Sequence, residues 1–357
     1  MSVLSRIRTI IFWIFALLIL LGIGIFLFVG WQKSNVILYP PRIPVPDSEK
    51  RIMENPADYG LSIKPFNVTH EDGSVSRAAL VSALPESKAG LAVRQRRMRE
   101  LLSERKKLPL KVEGRGRGTI ILSHDWGGSM ENMLRVAEYL TAADFNCLIY
   151  DLRAHGRRTG ETCTYGQEEK KEVAEVLATA RKEWGDLGDI GGYGEGLGAA
   201  ITLQAAPEIP EIRSVVSRDS FTTLKDKIWH HLVYQYGKVP AYAHYLTGDQ
   251  ILNWRMGFRC FDLAPVASAS RITVPTMVVS TDKKDPFGSE CTQKIYEALA
   301  SKEKILYVPF ETRDAQEYPY EEDELYCLIV EWLARNTHPP LPEVFVPVRR
   351  VPLPQVK

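Results

Sequence analysis

Cysteine and histidine are scarce in this chain, five and seven among 357 residues. Cys147, Cys163, Cys260, Cys291 and Cys327 are odd in number and never stand as Cys-x-x-Cys, which excludes a disulfide framework and the common zinc spacings. Cys147 falls in an apolar strand pattern and Cys327 in a helical one, so both read as buried thiols. No pattern suggests a metal, a nucleotide or a flavin, and no cofactor is expected. An excess of either charge is also missing: 45 Lys and Arg face 44 Asp and Glu, a net charge of +1, so nucleic acid is not a predicted partner. What remains, 45% apolar and 25% charged residues, is ordinary for one large or two moderate globular domains.

Charge is absent altogether from Thr9 to Val29. As a helix rising 1.5 Å per residue this run is about 30 Å long, the thickness of a bilayer core. A cleaved signal peptide would show a shorter apolar region, of about 7–15 residues, and a small-x-small cleavage site. Neither stands before Trp31-Gln32-Lys33. Residues 1–33 are therefore predicted to hold one N-terminal transmembrane anchor, with the lipid bilayer as partner. Arg6 and Arg8 outweigh the single Lys33 close to the other end, which favours a cytoplasmic N-terminus and a globular domain outside the cytoplasm. Trp31 suits the membrane interface.

Residues 34–54 are a proline-rich connector, with Tyr39-Pro40-Pro41-Arg42-Ile43-Pro44-Val45-Pro46 predicted to be extended and stiff and to hold the domain off the membrane. A second proline-rich stretch, 338–357, reads as an extended or disordered tail. Between them, in 55–337, Phe66–His70 and Val75–Ser82 flank Glu71-Asp72-Gly73 as a hairpin. Short β-branched runs follow at Thr119–Leu122, Asn146–Tyr150, Ile190–Tyr193, Ile212–Val216, Thr276–Ser280 and Ile305–Val308. They alternate with helical patterns near Met130–Ala142, Glu168–Lys182, Leu197–Ala206 and Asp323–Arg335, the signature of a parallel sheet with crossover helices.

Two segments break that rhythm. Residues 86–117 set Arg94, Arg96, Arg97, Arg99, Arg105, Lys106 and Lys107 around an apolar row of Leu91, Met98, Leu101 and Leu102. This is a basic helical insert that either docks by its apolar stripe or meets anionic lipid headgroups. Residues 222–271 are rich in large aromatics, Trp229, Tyr234, Trp254 and Phe258 among them. An excursion of that size is expected to form a lid, with aromatics that pack it down or line a ligand site.

Four motifs stand in order along the chain: Ser123-His124-Asp125-Trp126-Gly127-Gly128-Ser129, Asp151-Leu152-Arg153-Ala154-His155-Gly156, Gly194-Glu195-Gly196-Leu197-Gly198 and Asp219-Ser220-Phe221-Thr222-Thr223-Leu224. With Pro56-Ala57-Asp58-Tyr59-Gly60-Leu61 before them, the succession resembles the α/β-hydrolase superfamily, in its membrane-anchored, serine-aminopeptidase-like branch. The resemblance runs from about Asn55 to Arg335. It implies an eight-stranded, mostly parallel sheet with helices on both faces and a lid insertion. It also implies a nucleophile in a sharp turn after a central strand, an acid after the seventh strand, a histidine after the last, and oxyanion donors after the third strand and the nucleophile.

Several of those slots hold the wrong residue. In the register that Leu197-Gly198-Ala199-Ala200 favours, the nucleophile slot is Gly196, and in the alternative register it is Gly194; neither has a side chain to attack with. The acid slot fits Asp285, with Asp282 as runner-up. The histidine slot near Glu311-Thr312-Arg313-Asp314 holds Arg313 or Asp314, and an arginine cannot act as a base near neutral pH. The expected oxyanion loop is Asp125 and Trp126 with Leu197, where an inward carboxylate would oppose a developing negative charge. The order of the motifs argues against Asp125 as a nucleophile of the epoxide-hydrolase kind. His124, His155 and Glu195 are expected beside the site, and Arg158 stands where the family often has a serine.

Two readings follow. In the first, the protein is a pseudohydrolase, bound to the membrane and serving to bind or scaffold, with a small-molecule, acyl or peptide ligand in the former site. In the second it is an active esterase, lipase or peptidase with a non-standard constellation, such as Asp285 with one of the lid histidines His230, His231 or His244.

Overall fold

The runs read as strands pair into one eight-stranded sheet of order β1-β2-β4-β3-β5-β6-β7-β8. The computed structural model describes residues 3–84, 93–106, 116–158, 162–238, 241, 250–259, 262–281, 286–308 and 321–337. β1 (Leu61–Thr69) and β2 (Val75–Ala83) are the expected antiparallel hairpin, turned at Gly73 with φ 80°. β2 lies antiparallel to β4 (Asn146–Tyr150). The remaining strands, β3 (Thr119–Ser123), β5 (Ile190–Glu195), β6 (Ile212–Arg218), β7 (Thr276–Val279) and β8 (Lys304–Tyr307), run parallel to β4 and to one another. Buried on both faces, the central strands need no polar alternation, which is why they read as apolar runs.

Helices cover both faces. One layer holds α2 (Asp47–Glu54), α3 (Val93–Lys106), α4 (Leu134–Ala142) and α10 (Glu321–Asn336), which share a core with Ile120, Leu122, Ile149 and Met277. The other holds α5 (Glu169–Trp184), α6 (Leu197–Ala205), α8 (Pro265–Ala269) and α9 (Pro286–Ala298), packed on Ile121, Leu148 and Val215. The basic insert docks by its apolar stripe: Met98 and Leu102 of α3 are 3% and 0% exposed in the first layer. That layer is opposite the one whose core takes in Leu38. Leu91 and Lys107 lie outside the described residues. The β6–β7 excursion carries α7 (Leu224–Tyr236), capped by the Thr223 hydroxyl, and a helical stretch at 250–256.

α1 (Val3–Leu38) departs from expectation at its far end. Its apolar residues, such as Phe12, Leu20 and Phe28, are 63% to 66% exposed, and nothing among the described residues covers them. The helix then continues past the apolar run without a break, and Ser34 and Leu38 are each 1% exposed against the domain. The Ile37 carbonyl accepts the Tyr165 hydroxyl at 2.9 Å and the Leu38 carbonyl accepts the Cys163 N–H at 2.8 Å. The connector therefore does not hold the domain away. Arg42 donates to the carbonyls of Ala154 and Arg158, and the Ile43 N–H donates to the Gly127 carbonyl at 2.9 Å. Those bonds lay the connector along the body.

Cys147, Cys163, Cys291 and Cys327 are buried free thiols, and burial pushes the first three above their usual range. Cys260 and the tail 338–357 lie outside the described residues. Truncating Leu102→Ala is expected to cost about 2–4 kcal/mol in equilibrium unfolding, because it opens a cavity under α3 that a docked helix would feel and a surface helix would not.

Candidate functional site

In a sheet of this kind ligands meet the carboxyl ends of the central strands, where helices on the two faces diverge. Here β5 ends at Glu195, Gly196 turns, and α6 begins at Leu197. Gly196 has φ 53° and ψ −111°, a conformation costly for any side chain. Its flanks are glycines for lack of room. A Cβ at Gly194 would lie 2.3 Å from the Gly198 carbonyl oxygen, and one at Gly198 would lie 2.1 Å from that of Ser123. These contacts put the turn at Gly196 rather than at Gly194.

The space above the turn holds Asp125. Its Oδ1 accepts the Leu197 N–H at 2.8 Å and the Trp126 N–H at 2.6 Å. These are the two backbone donors that the sequence pattern assigns to an oxyanion. A Cβ built on Gly196 would fall 1.7 Å from the same Oδ1. The carboxylate therefore stands where a nucleophile's side chain would begin, and it satisfies the donors that a tetrahedral intermediate would need. Asp125 is still exposed, so the site is open to solvent on its side.

His124 and His155 hold the loop below. The Leu152 N–H donates to His124 Nε2 at 3.1 Å, which leaves Nδ1 to donate to the Asp125 carbonyl at 2.7 Å. His155 Nδ1 lies 2.6 Å from the Arg153 carbonyl, and its ring meets His124 edge-on at 5.3 Å. Burial lowers His124 to about 4 and His155 to about 3, so both stay neutral. Both rings bond backbone, His124 through its two nitrogens and His155 through Nδ1.

Glu195 bonds to the neighbouring strand and to its own. Its Oε1 accepts from Arg218 at 3.1 Å and from the Tyr193 hydroxyl at 2.5 Å, while Arg218 also reaches the Tyr326 hydroxyl and ring. Burial raises the Glu195 carboxyl, with Arg218 and Tyr193 opposing it. Arg218, Tyr193 and Tyr326 were not singled out from the sequence. One signal existed: Glu195 and Arg218 are register partners at the ends of neighbouring parallel strands. Next to Arg218, Asp219 has φ 56° and accepts the Thr281 N–H at 2.6 Å and the Thr281 hydroxyl. It thus fixes the start of the loop after β7, where the acid is expected.

Asp285, Asp282, Arg313, Asp314, His244 and His338 lie outside the described residues. His230 and His231 lie on α7. Arg158 is buried and makes a two-pronged pair with Glu172 at 2.7 and 3.0 Å, so it braces the loop after β4. Among the described residues no group of His, Cys, Asp and Glu could hold a metal ion.

Two predictions rest on this geometry. Gly196→Ala is expected to destabilise the fold by about 2–4 kcal/mol, from backbone strain and from displacing a carboxylate that accepts two N–H groups. Asp125→Gly in the same chain is expected to recover part of that loss, a coupling that a double-mutant cycle in denaturant measures.

The second concerns pH. An unfolded histidine titrates near pH 6.5, so as pH falls below that value the unfolded chain binds protons that His124 and His155 refuse. Their contribution is present above about pH 6.5 and lost as pH falls toward 4 and then 3. Glu138 on α4 acts in the opposite sense. Burial, with Asp323 and Glu49, raises it to about 8 against the pull of Arg135, so its contribution shrinks as pH climbs from 4.5 to about 8. Stability is expected to peak near about pH 6.5, and Glu138→Gln both to flatten the fall above that pH and to steepen the rise between about pH 5 and 6.5; unfolding at about pH 5, 6.5 and 8 tests both limbs.

Known proteins bear on the fold. Residues 114–248 match the serine aminopeptidase, S33, family. The uncharacterized protein YqkD of Bacillus subtilis (strain 168) is 26% identical over 202 residues, which are 56% of this chain and 66% of that protein. The match thus spans just under two thirds of that relative's length. Among solved structures, the esterase Pf2001 of Pyrococcus furiosus superposes with a TM-score of 0.58 at 17% identity, covering 84% of this chain and 100% of that one. The acylaminoacyl peptidase of Pyrococcus horikoshii gives 0.52 at 11% identity, covering 78% and 42%. Together with the strand order and the turn at Gly196, these likenesses show that the chain has the α/β-hydrolase fold.

Proposed function

We propose that this chain is a membrane-anchored pseudohydrolase, a protein that keeps the hydrolase fold without acyl chemistry and serves in binding or scaffolding. One observation carries the reading: Asp125 Oδ1 fills the donor pair of Leu197 and Trp126 at the place where a side chain on residue 196 would begin. Acyl transfer needs a nucleophile and empty donors aimed at the developing negative charge. Residue 196 offers no nucleophile, and the donors already serve a carboxylate. The nearby serines do not substitute. Ser123 is buried with its hydroxyl on Tyr150 at 2.8 Å, and Ser220 is buried with its hydroxyl on the Phe221 carbonyl at 3.1 Å.

Arg313 in the expected histidine slot supports the same conclusion, since losing one triad serine or histidine already costs about a million-fold in a serine protease. The esterase and peptidase named above are enzymes, but fold does not carry activity. In this reading the aromatic excursion between β6 and β7 is a lid. The open side of the site takes a small-molecule, acyl or peptide ligand. The uncovered apolar face of α1 is the anchor, with its N-terminus cytoplasmic and the domain on the far side of the membrane.

The full chain in detergent, offered a fluorophosphonate probe and short p-nitrophenyl esters, is expected to show neither labelling nor turnover above a heat-denatured control. Turnover that Ser123→Ala or Ser220→Ala abolishes would overturn the proposal. The combination of Gly196→Ser, Asp125→Gly and Arg313→His asks how far the loss extends: regained labelling would mean an otherwise intact site, and silence a pocket remodelled as well.

A further inference from the structure

Beyond α1, which carries the exposed Trp13 and Trp31, one tryptophan is exposed. Trp126, Trp184, Trp229 and Trp332 are all partly withdrawn from solvent, whereas Trp254, in the helical stretch 250–256, is 74% exposed. Its ring centroid lies 6.1 Å from that of Trp31 on α1. Its neighbour Arg255 ties the two segments together. The Arg255 guanidinium lies 4.1 Å from the centroid of the Trp31 ring and donates to the Ser34 hydroxyl at 2.5 Å and to Asn35 Oδ1 at 2.7 Å.

The height of Trp254 follows from that clamp. Trp31 stands two residues beyond Val29, the end of the apolar run, which is about 3 Å along a helix. Ser34 and Leu38 are buried in the domain, and the Ile37 and Leu38 carbonyls are bonded to Tyr165 and Cys163. α1 therefore cannot pivot freely about its exit from the span. If α1 crosses a bilayer, a ring 6.1 Å from Trp31 lies at the level of the headgroups. Tryptophan is favoured at that level because its ring is apolar and its N–H can still find a polar partner.

We propose that the 250–256 stretch is a second membrane contact, with Trp254 seated in the headgroup layer beside Trp31, so that the β6–β7 excursion rests on the lipid surface. This rests on the anchor reading of α1 given above, and its occupant is the bilayer that α1 itself would cross. In water an exposed tryptophan of this size has nothing to gain; at the interface it adds a foothold that a single span lacks.

The test uses the full chain with Cys260→Ser, reconstituted in phosphatidylcholine–phosphatidylglycerol vesicles, with an environment-sensitive fluorophore on Trp254→Cys or, separately, on Leu20→Cys. Lipids carrying a nitroxide near the headgroup are expected to quench the label at 254 by about twofold, and deep nitroxides to quench the label at 20. Quenching at 20 without quenching at 254 would overturn this inference and leave the anchor standing. No quenching at 20 would overturn the anchor and this inference with it. A change at 254 that follows protein density and ignores the nitroxide would assign the patch to a second copy of the chain, and would equally overturn it.

Discussion

The end of β5 comes so close to α6 and to the end of β3 that no side chain fits at residue 194 or 198. This contact fixes the rest of the site. It forces the chain to turn within one residue, at Gly196, and it aims the Leu197 N–H back over the strand ends. In an enzyme of this fold the strained turn lifts a nucleophile into the open. Here the same geometry leaves a gap over a bare backbone, and the gap is filled from the neighbouring strand by Asp125.

Asp125 belongs to a pattern repeated at this end of the sheet, in which carboxylates hold loops by accepting backbone N–H groups. Asp151 accepts from Met130 at 2.9 Å and from Arg157 at 3.1 Å, and it also pairs with Arg77. Glu169 accepts from Thr164 and Gly166, both at 2.7 Å, and Asp219 accepts from Thr281. Hydrogen bonds to an ionised acceptor are short and strong; Asp125, Asp151 and Asp219 each use one to join segments far apart in sequence, and Glu169 closes its own loop. The N–H groups of Leu197 and Trp126 are drawn into the same scheme by Asp125.

Much of this was legible in the sequence because it is local or periodic. The runs at Thr119, Asn146 and Ile190 are strands, and the Leu-Gly-Ala-Ala that follows Gly196 set the right register for the turn. The direction of Asp125 was not legible. Its partner Leu197 is 72 positions away, and nothing near Asp125 says which way a carboxylate on a loop will face. The Glu195–Arg218 pair escaped for the same reason, since it joins neighbouring strands and follows only once sheet order and register are known. The proline content of the connector does not say that Arg42 finds two carbonyls to hold it down.

α1 enters the domain as one unbroken helix whose last turn is core. A domain on a loose tether samples every orientation and searches a volume set by the tether's length. A domain on a rod does not. Tilt or rotation of the rod is tilt or rotation of the body, and the open side of the site keeps a constant bearing to the rod's axis. If α1 crosses a bilayer as proposed, the open side of the site stands at one height and one angle above the membrane surface.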